Sequence, residues 1–329
     1  MYSLAVGHTT DIPLAEAREL IARAIDKAED ISMRGAIAVV GASGALVSAS
    51  RMDHGGAGGM ARARSKAWIA ATQQIPSAEH LHRLSVIAPP MVAGFAVCSP
   101  EAIFPGAGGM PIERDGWVIA GLAASGAGIG PFVAYPGAER QKLIADGRPA
   151  NGEDLLVHYA LGRPYEGQHG DDMQRWIDAY GPFPDDAGPG LGMADPRPAQ
   201  GQEEHRWALE LADRGLEQAR RWGERISVAI VDQRGDPIQQ DRMDGAPTAS
   251  VALAEATAAG AATFQCPSAE LSTRFGRELE LLAPALPFRI LPVPGGLPLH
   301  RGEEVVGAVG IAGPAPQTCA EIARAVAAS

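Results

Sequence analysis

Cysteine is scarce in this chain, and the three thiols, Cys98, Cys266 and Cys319, are odd in number and far apart. They make neither a disulfide framework nor a zinc knuckle, and each is read as a small buried apolar residue. No apolar run reaches the 18 residues of a membrane span, and Met1 to Ile12 lacks the basic-then-apolar order of a secretion signal. A cytoplasmic protein with no membrane partner is expected. Positive charge is also short, with 28 Lys and Arg against 39 Asp and Glu and a net charge of −11. An acidic surface does not attract nucleic acid, so none is expected as a partner. The chain has no phosphate-loop lysine motif, no nucleophile-elbow serine and no paired histidines at metal spacing. No metal site is expected. The glycine-rich run Gly121 to Gly128 lies at a hairpin end and is not a nucleotide loop.

What is present is an ordinary globular composition, 46% apolar and 20% charged over 329 residues, enough for two domains with a core each. An internal repeat accounts for both. At an offset of 191, Leu20 falls on Leu211, Ala38 on Ala229, Val40 on Val231 and Gly44 on Gly235. The triplet Arg51-Met52-Asp53 falls on Arg242-Met243-Asp244, and Pro76-Ser77-Ala78-Glu79 on Pro267-Ser268-Ala269-Glu270. Beyond that the offset becomes 187, and Gly108-Gly109, Pro111, Val118 and Gly126 match Gly295-Gly296, Pro298, Val305 and Gly313. A repeat of this length means tandem globular domains rather than a solenoid. The expected division is a first domain over 1–130, a connector over 131–202 and a second domain over 203–329.

Each copy reads in the same order. A helix over Pro13 to Met33 starts with proline in its first turn and carries Leu14, Ala17, Leu20, Ile21, Ala24 and Ile25 at helical spacing. Two short strands, Ala36 to Val40 and Ala45 to Ser50, flank a turn at Ser43-Gly44. An alanine-rich helix, Met60 to Gln74, stops before Pro76, and another helix follows from there. A glycine-proline loop, Gly106 to Pro111, leads to a hairpin that turns at Arg114-Asp115-Gly116 and returns through Trp117 to Ala124. The second copy repeats this, with a returning strand over Glu304 to Ile311, and closes on a helix from Gln317 to Ala328. The fold expected is α+β, two tandem copies of a mainly antiparallel sheet covered by helices. The connector is dense in glycine, proline and aspartate, with helical pieces at Gly152 to Leu161 and Asp171 to Ala179. The first of these is expected to stand in for the closing helix of copy one.

The spaced pattern Val-Ala-Ile-Val-Asp232-x-x-Gly235, Arg242-Met243-Asp244-Gly245-Ala246, Pro294-Gly295-Gly296-x-Pro298 and Val306 to Gly313 resembles the GlcG/HbpS-type (DUF336) haem-binding domain family. Copy one has the same skeleton in Arg51-Met52-Asp53, Lys66-Ala67, Gly108-Gly109-Met110-Pro111-Ile112 and Ser125-Gly126. The resemblance covers about three quarters of the chain. It implies haem as a candidate cofactor, a small-molecule ligand, or a part in small-molecule catabolism. It also implies a homo-oligomer or, in a tandem chain, an internal pseudo-dimer. Haem needs a ligating His, Cys, Met or Tyr beside an apolar slot. His8, His54 and His300 qualify by type, and His54 is the ligand candidate.

The copies differ where the family pattern is polar. Copy one keeps Lys66 but has Gly41 in place of aspartate, and copy two keeps Asp232 but has Thr257 in the lysine position. Drift after duplication explains this, and so does one asymmetric site in which Arg51, Asp53 and Lys66 meet an anionic ligand. In the second case a guanidinium and an ammonium hold a carboxylate. The backbone at Gly108 and Gly109, and by repeat at Gly295 and Gly296, approaches an oxygen closely, with Ser125, Arg242 and Asp244 completing the ligand-binding set. Against that, an Arg and Asp two residues apart also close a strand end as an ion pair, and such glycines also serve turn geometry. Two functions follow. One is a non-catalytic binding protein for haem or a related small molecule. The other is a cofactor-free isomerase, lyase or hydrolase of a small unsaturated or hydroxy acid, with Lys66 or Asp53 moving the proton.

Overall fold

The computed structural model describes residues 11–30, 33–99, 102–104, 106–126, 144–145, 148–149, 151–167 and 202–328. The chain divides into two compact units, one of Met1–Ala45 and Ala61–Ala199, the other of Leu46–Met60 and Gln200–Ser329.

In the first unit, helix α1 (Leu14–Asp30) buries Leu14, Ala17, Ile21, Ala24, Ile25 and Ala28 along one stripe, as the apolar spacing predicts. Strand β1 (Ala36–Gly41) is buried along its whole length. Strands β3 (Gly109–Arg114) and β4 (Trp117–Ser125) form a hairpin whose turn residues, Asp115 and Gly116, both have positive φ. The sheet order is β3-β4-β1, all antiparallel. Strand β3 begins at Gly109, inside the stretch expected to be loop. A Cβ at Gly109 would stand 2.8 Å from the Lys66 carbonyl, so glycine alone lets the strand begin against the helix carrying Lys66. That helix is α2 (Gly58–Gln73), followed by α3 (Ser77–Ile87) and by α4 (Pro89–Cys98), a second helix beyond Pro76 where one was expected. From the connector, α5 (Gly152–Ala160) packs on α1 and β4 and closes this unit. A two-residue ladder, β5 (Ile144–Ala145) with β6 (Arg148–Pro149), precedes it. The helix expected at Asp171 to Ala179 lies outside the described residues.

The second unit has the sheet order β2-β8-β7-β10-β9, again antiparallel throughout. Its strands are β2 (Leu46–Arg51), β7 (Ser227–Asp232), β8 (Pro237–Arg242), β9 (Gly296–Arg301) and β10 (Glu304–Ala312). Strand β2 belongs to the first repeat by sequence, yet it pairs Ser48 with Asp241, Ala49 with Gln240 and Ser50 with Gln239. Buried side-chain bonds reinforce the pairing, Ser48 Oγ to Asp241 Oδ1 at 2.8 Å and Ser50 Oγ to Gln239 Oε1 at 2.5 Å. Helix α6 (Glu203–Trp222) corresponds to α1, and α7 (Ser250–Phe264) to α2. Alanines 254, 258, 261 and 262 of α7 form a core with Ala229, Val231, Ala308 and Ala312, so small side chains let this helix lie close on the sheet. Short helical turns fill Ser268–Ala285, and α8 (Pro316–Ala327) packs on α6 as α5 does on α1. No helix among the described residues is long and apolar enough to cross a membrane.

Candidate functional site

Lys66 projects from α2 and is only 1% exposed. Its Nζ donates to Glu153 Oε2 at 2.5 Å and to the Ala124 carbonyl at 3.2 Å, with the Phe104 ring centroid 5.5 Å away. Glu153 stands in the first turn of α5, where the Asn151 side chain caps the helix by accepting from the Glu153 and Asp154 amides. The other Glu153 oxygen, Oε1, accepts from the Gly126 amide at 2.9 Å, and Asp154 Oδ1 accepts from the Gly108 amide at 2.7 Å. Burial pushes the Lys66 ammonium below its usual pKa and the Glu153 carboxyl above its own, while their mutual attraction opposes both shifts. Ser125 Oγ accepts from Arg62 Nε at 3.2 Å.

These contacts change what the glycines do. The amides of Gly108 and Gly109 were expected to meet a ligand oxygen. The first donates to Asp154 and the second to Ser77 Oγ at 3.1 Å. Gly296 likewise donates to Ser268 Oγ at 2.9 Å, and a Cβ on Gly295 would stand 2.4 Å from the Ile311 carbonyl. The motif is a close backbone crossing in which the amides of Gly108, Gly109 and Gly296 are already engaged.

At the same positions of the second repeat the chemistry is reversed. Thr257 replaces Lys66, Leu253 replaces Arg62, Leu291 replaces Phe104, and Ile311 and Ala312 replace Ala124 and Ser125. Together with Pro247, Val293 and Cys319 of α8 these residues line a pocket of ≈ 140 Å³ whose wall holds no charged side chain. Thr257 Oγ1 turns back to donate to the Ala254 carbonyl at 3.0 Å, and burial pushes the Cys319 thiol up to about 11.

The arginine-aspartate motif of the first repeat is structural in its contacts. Arg51 reaches Asp232 Oδ2 through Nη2 at 2.9 Å and the Pro237 carbonyl through Nε at 2.9 Å. Its guanidinium, expected to hold a ligand's carboxylate, holds the Asp232 carboxylate instead. The Asp53 carboxylate, expected to move a proton, accepts from the first amides of α6, Glu204 N at 3.1 Å and His205 N at 2.8 Å. Gln202 Oε1 returns the bond by accepting from Asp53 N at 2.9 Å, so two segments distant in sequence cap each other. Arg242 Nε donates to the Leu46 carbonyl at 2.8 Å, and Asp244 is exposed in the following turn. His54, with φ of 60°, stands at the rim of an open pocket of ≈ 360 Å³ lined also by Asp53, Glu203, Glu204, Trp207, Arg301 and Val306. Burial raises the Glu204 carboxyl, Arg51 lowers it, and Asp53 and Asp232 raise it further. Sequence reasoning missed Glu153, Asp154 and Gln202. The Asn-Gly-Glu-Asp start of α5 announces a capped helix, but nothing local says where its carboxylates go.

The model of the family described as haem degrading protein HbpS-like matches residues 12–129 and 204–328, both repeats. The chain belongs to the HbpS-like family. Among solved structures it is similar to a double mutant of HbpS from Streptomyces reticuli, at 30% identity over 41% of this chain and 97% of that one, TM-score 0.35. It is similar to protein ORFY of Klebsiella pneumoniae at 22% identity over 41% and 96%, TM-score 0.36, and to PduOC in a haem complex at 25% over 37% and 91%, TM-score 0.34. No curated protein matches.

A haem slot in an HbpS-like chain requires a ligating side chain against an apolar wall of macrocycle size. His54 faces a pocket walled by the carboxylates of Asp53, Glu203 and Glu204. The apolar pocket offers only Cys319, whose thiol is held protonated, and is too small. His300 is exposed on β9, and His8 lies outside the described residues. The described pockets therefore do not fit haem. Among the described residues no group of three or more His, Cys, Asp and Glu is placed to hold a metal ion.

Proposed function

We propose that this HbpS-like chain is a small-molecule-binding protein and that its ligand site is the apolar pocket beside Thr257. The observation that carries this reading is the contrast between repeat-equivalent positions. In the first repeat they enclose Lys66 and receive Glu153, and in the second they leave ≈ 140 Å³ of apolar space. An apolar cavity of about 150 Å³ takes a benzene-sized molecule, so the ligand is neutral, apolar and small. A carboxylate there would lose its hydration with no cation to replace it. Catalysis on a small acid by Lys66 and Asp53 is the weaker reading, because both side chains are taken up by partners within the chain. Haem is the second reading, favoured by the family's description.

Calorimetric titration with toluene and phenol tests the proposal, alongside a Thr257→Leu variant that fills the pocket. The expected result is saturable binding at one site per chain, lost in Thr257→Leu with little change in melting temperature. Binding that survives the substitution overturns the assignment. Haem added to the same preparations, followed at its Soret band, separates the readings. A saturable band insensitive to Thr257→Leu, with no heat from toluene or phenol, replaces the first reading with the second.

A further inference from the structure

We propose that the cradle around Lys66 is a dicarboxylate-binding site which the chain fills with its own connector, Glu153 and Asp154 acting as a built-in ligand. The receiving groups come from three separate places. The ammonium is on α2, the Gly126 amide follows the end of β4, and the Gly108 amide lies in the loop before β3. Both oxygens of one carboxylate and one oxygen of the next are bound, at 2.5, 2.9 and 2.7 Å. Gly108 has φ of +95°, and a Cβ on it would lie 2.6 Å from Glu153 Cβ and 2.8 Å from the Ala124 carbonyl, so glycine lets the loop cross the strand end and still admit the acid. An ion pair made only to close the unit needs one cation and one anion. Here two adjacent carboxylates meet a cation and two converging backbone donors, the arrangement that recognises a small dicarboxylate.

The second repeat shows that the closing helix does not need these groups to dock. Cys319 of α8 stands against Gly295 where Glu153 stands against Gly108, with Thr257 in place of the lysine, and α8 still packs on α6. The ligand class that fits the first cradle is therefore a short dicarboxylate of the succinate kind. This cradle lies in the first unit and takes an anion, so its failure to bind is distinct from that of the apolar pocket.

The experiment removes the internal ligand and supplies a free one. In the full chain, the double variant Glu153→Ala/Asp154→Ala leaves a buried lysine without its carboxylate, and its melting temperature falls. Sodium succinate is expected to raise it saturably, by roughly 5 °C at about 100 times its Kd, while sodium chloride of equal ionic strength leaves it unmoved and sodium acetate acts more weakly. Adding Lys66→Met to the double variant is expected to abolish the succinate response and to recover stability without any ligand. Equal responses to succinate and chloride, or a succinate response that persists with Lys66→Met, overturn the proposal. If the double variant is recovered unfolded, refolding with and without succinate reads the same question. Folded protein obtained only with succinate supports the site, and equal yields overturn it.

Discussion

The residues that look chemical in this chain, a buried lysine, an arginine and an aspartate in one motif, all act on their own backbone and carboxylates. Asp53 is the clearest case, since both its oxygens close the amides at the start of α6. Replacing it with alanine is expected to cost about 1 kcal/mol, the usual value of an N-cap, read as a lower urea midpoint with unchanged slope. Asparagine at the same position is expected to recover only part of that loss, because its single amide oxygen accepts from one of the two amides and its NH2 group faces the other. The thiols divide by environment. Cys266 and Cys319 are buried as expected, and burial pushes the Cys319 thiol up to about 11, whereas Cys98, also expected to be buried, is exposed at the end of α4. Iodoacetamide at pH 8 is expected to modify Cys98 alone in the native protein, with Cys266 and Cys319 reacting only after denaturation, as peptide mass analysis shows.

At the level of elements, the decisive feature is how closely helix and sheet approach. Gly310 of β10 lies under α7 so that an added Cβ would stand 2.0 Å from the Ala254 carbonyl, and Gly296 of β9 places it 2.2 Å from the Thr257 carbonyl. Backbone on both sides cannot yield as a flexible side chain does. Gly310→Ala and Gly296→Ala are each expected to destabilise the chain by about 3 kcal/mol or more, and the measurement is equilibrium unfolding. Gly56→Ala, with open space around it, is expected to change stability by less than about 0.5 kcal/mol in the same assay. The alanine-rich character of α7 was legible as helix propensity, but its purpose, a low side-chain profile against Ala229, Val231 and Ala308, was not. Only one helix is expected beyond Pro76, and the second, α4, is started by Pro89 and Pro90 in its first turn, where proline costs no intrahelical bond.

For the molecule as a whole, two buried neutral acids pull stability down on the alkaline side. Tyr165 is pushed up to about 12 from 10.0, and Cys319 to about 11 from 9.0, in both cases by burial. A folded pKa above the unfolded one means the unfolded chain releases its proton first. The contribution of each group is then complete below its unfolded pKa and is lost as pH rises through its folded pKa. Melting temperature is expected to fall progressively from about pH 9 to about pH 12, and Cys319→Ser is expected to flatten the early part of that decline. A curve unchanged by the substitution places the loss elsewhere.

What the amino-acid sequence determined by itself is everything that repeats or has a period. Two copies, the helix stripes of α1 and α6, the hairpin at Asp115-Gly116 and the antiparallel character of the sheets are encoded in residues near one another, where spacing alone states which side is buried. Tertiary structure alone decided the partners of the polar residues. Lys66 and Glu153 are 87 positions apart, and Arg51 and Asp232 are 181 apart, so only the folded backbone brings their charges together. The same holds for strand β2, whose sequence places it in the first copy and whose hydrogen bonds to Asp241 and Gln239 belong to the second unit. Periodicity is a local property, and electrostatic pairing is not. For that reason the fold could be read along the chain, whereas the content of its two equivalent sites, one filled by an acid and one open and apolar, could not.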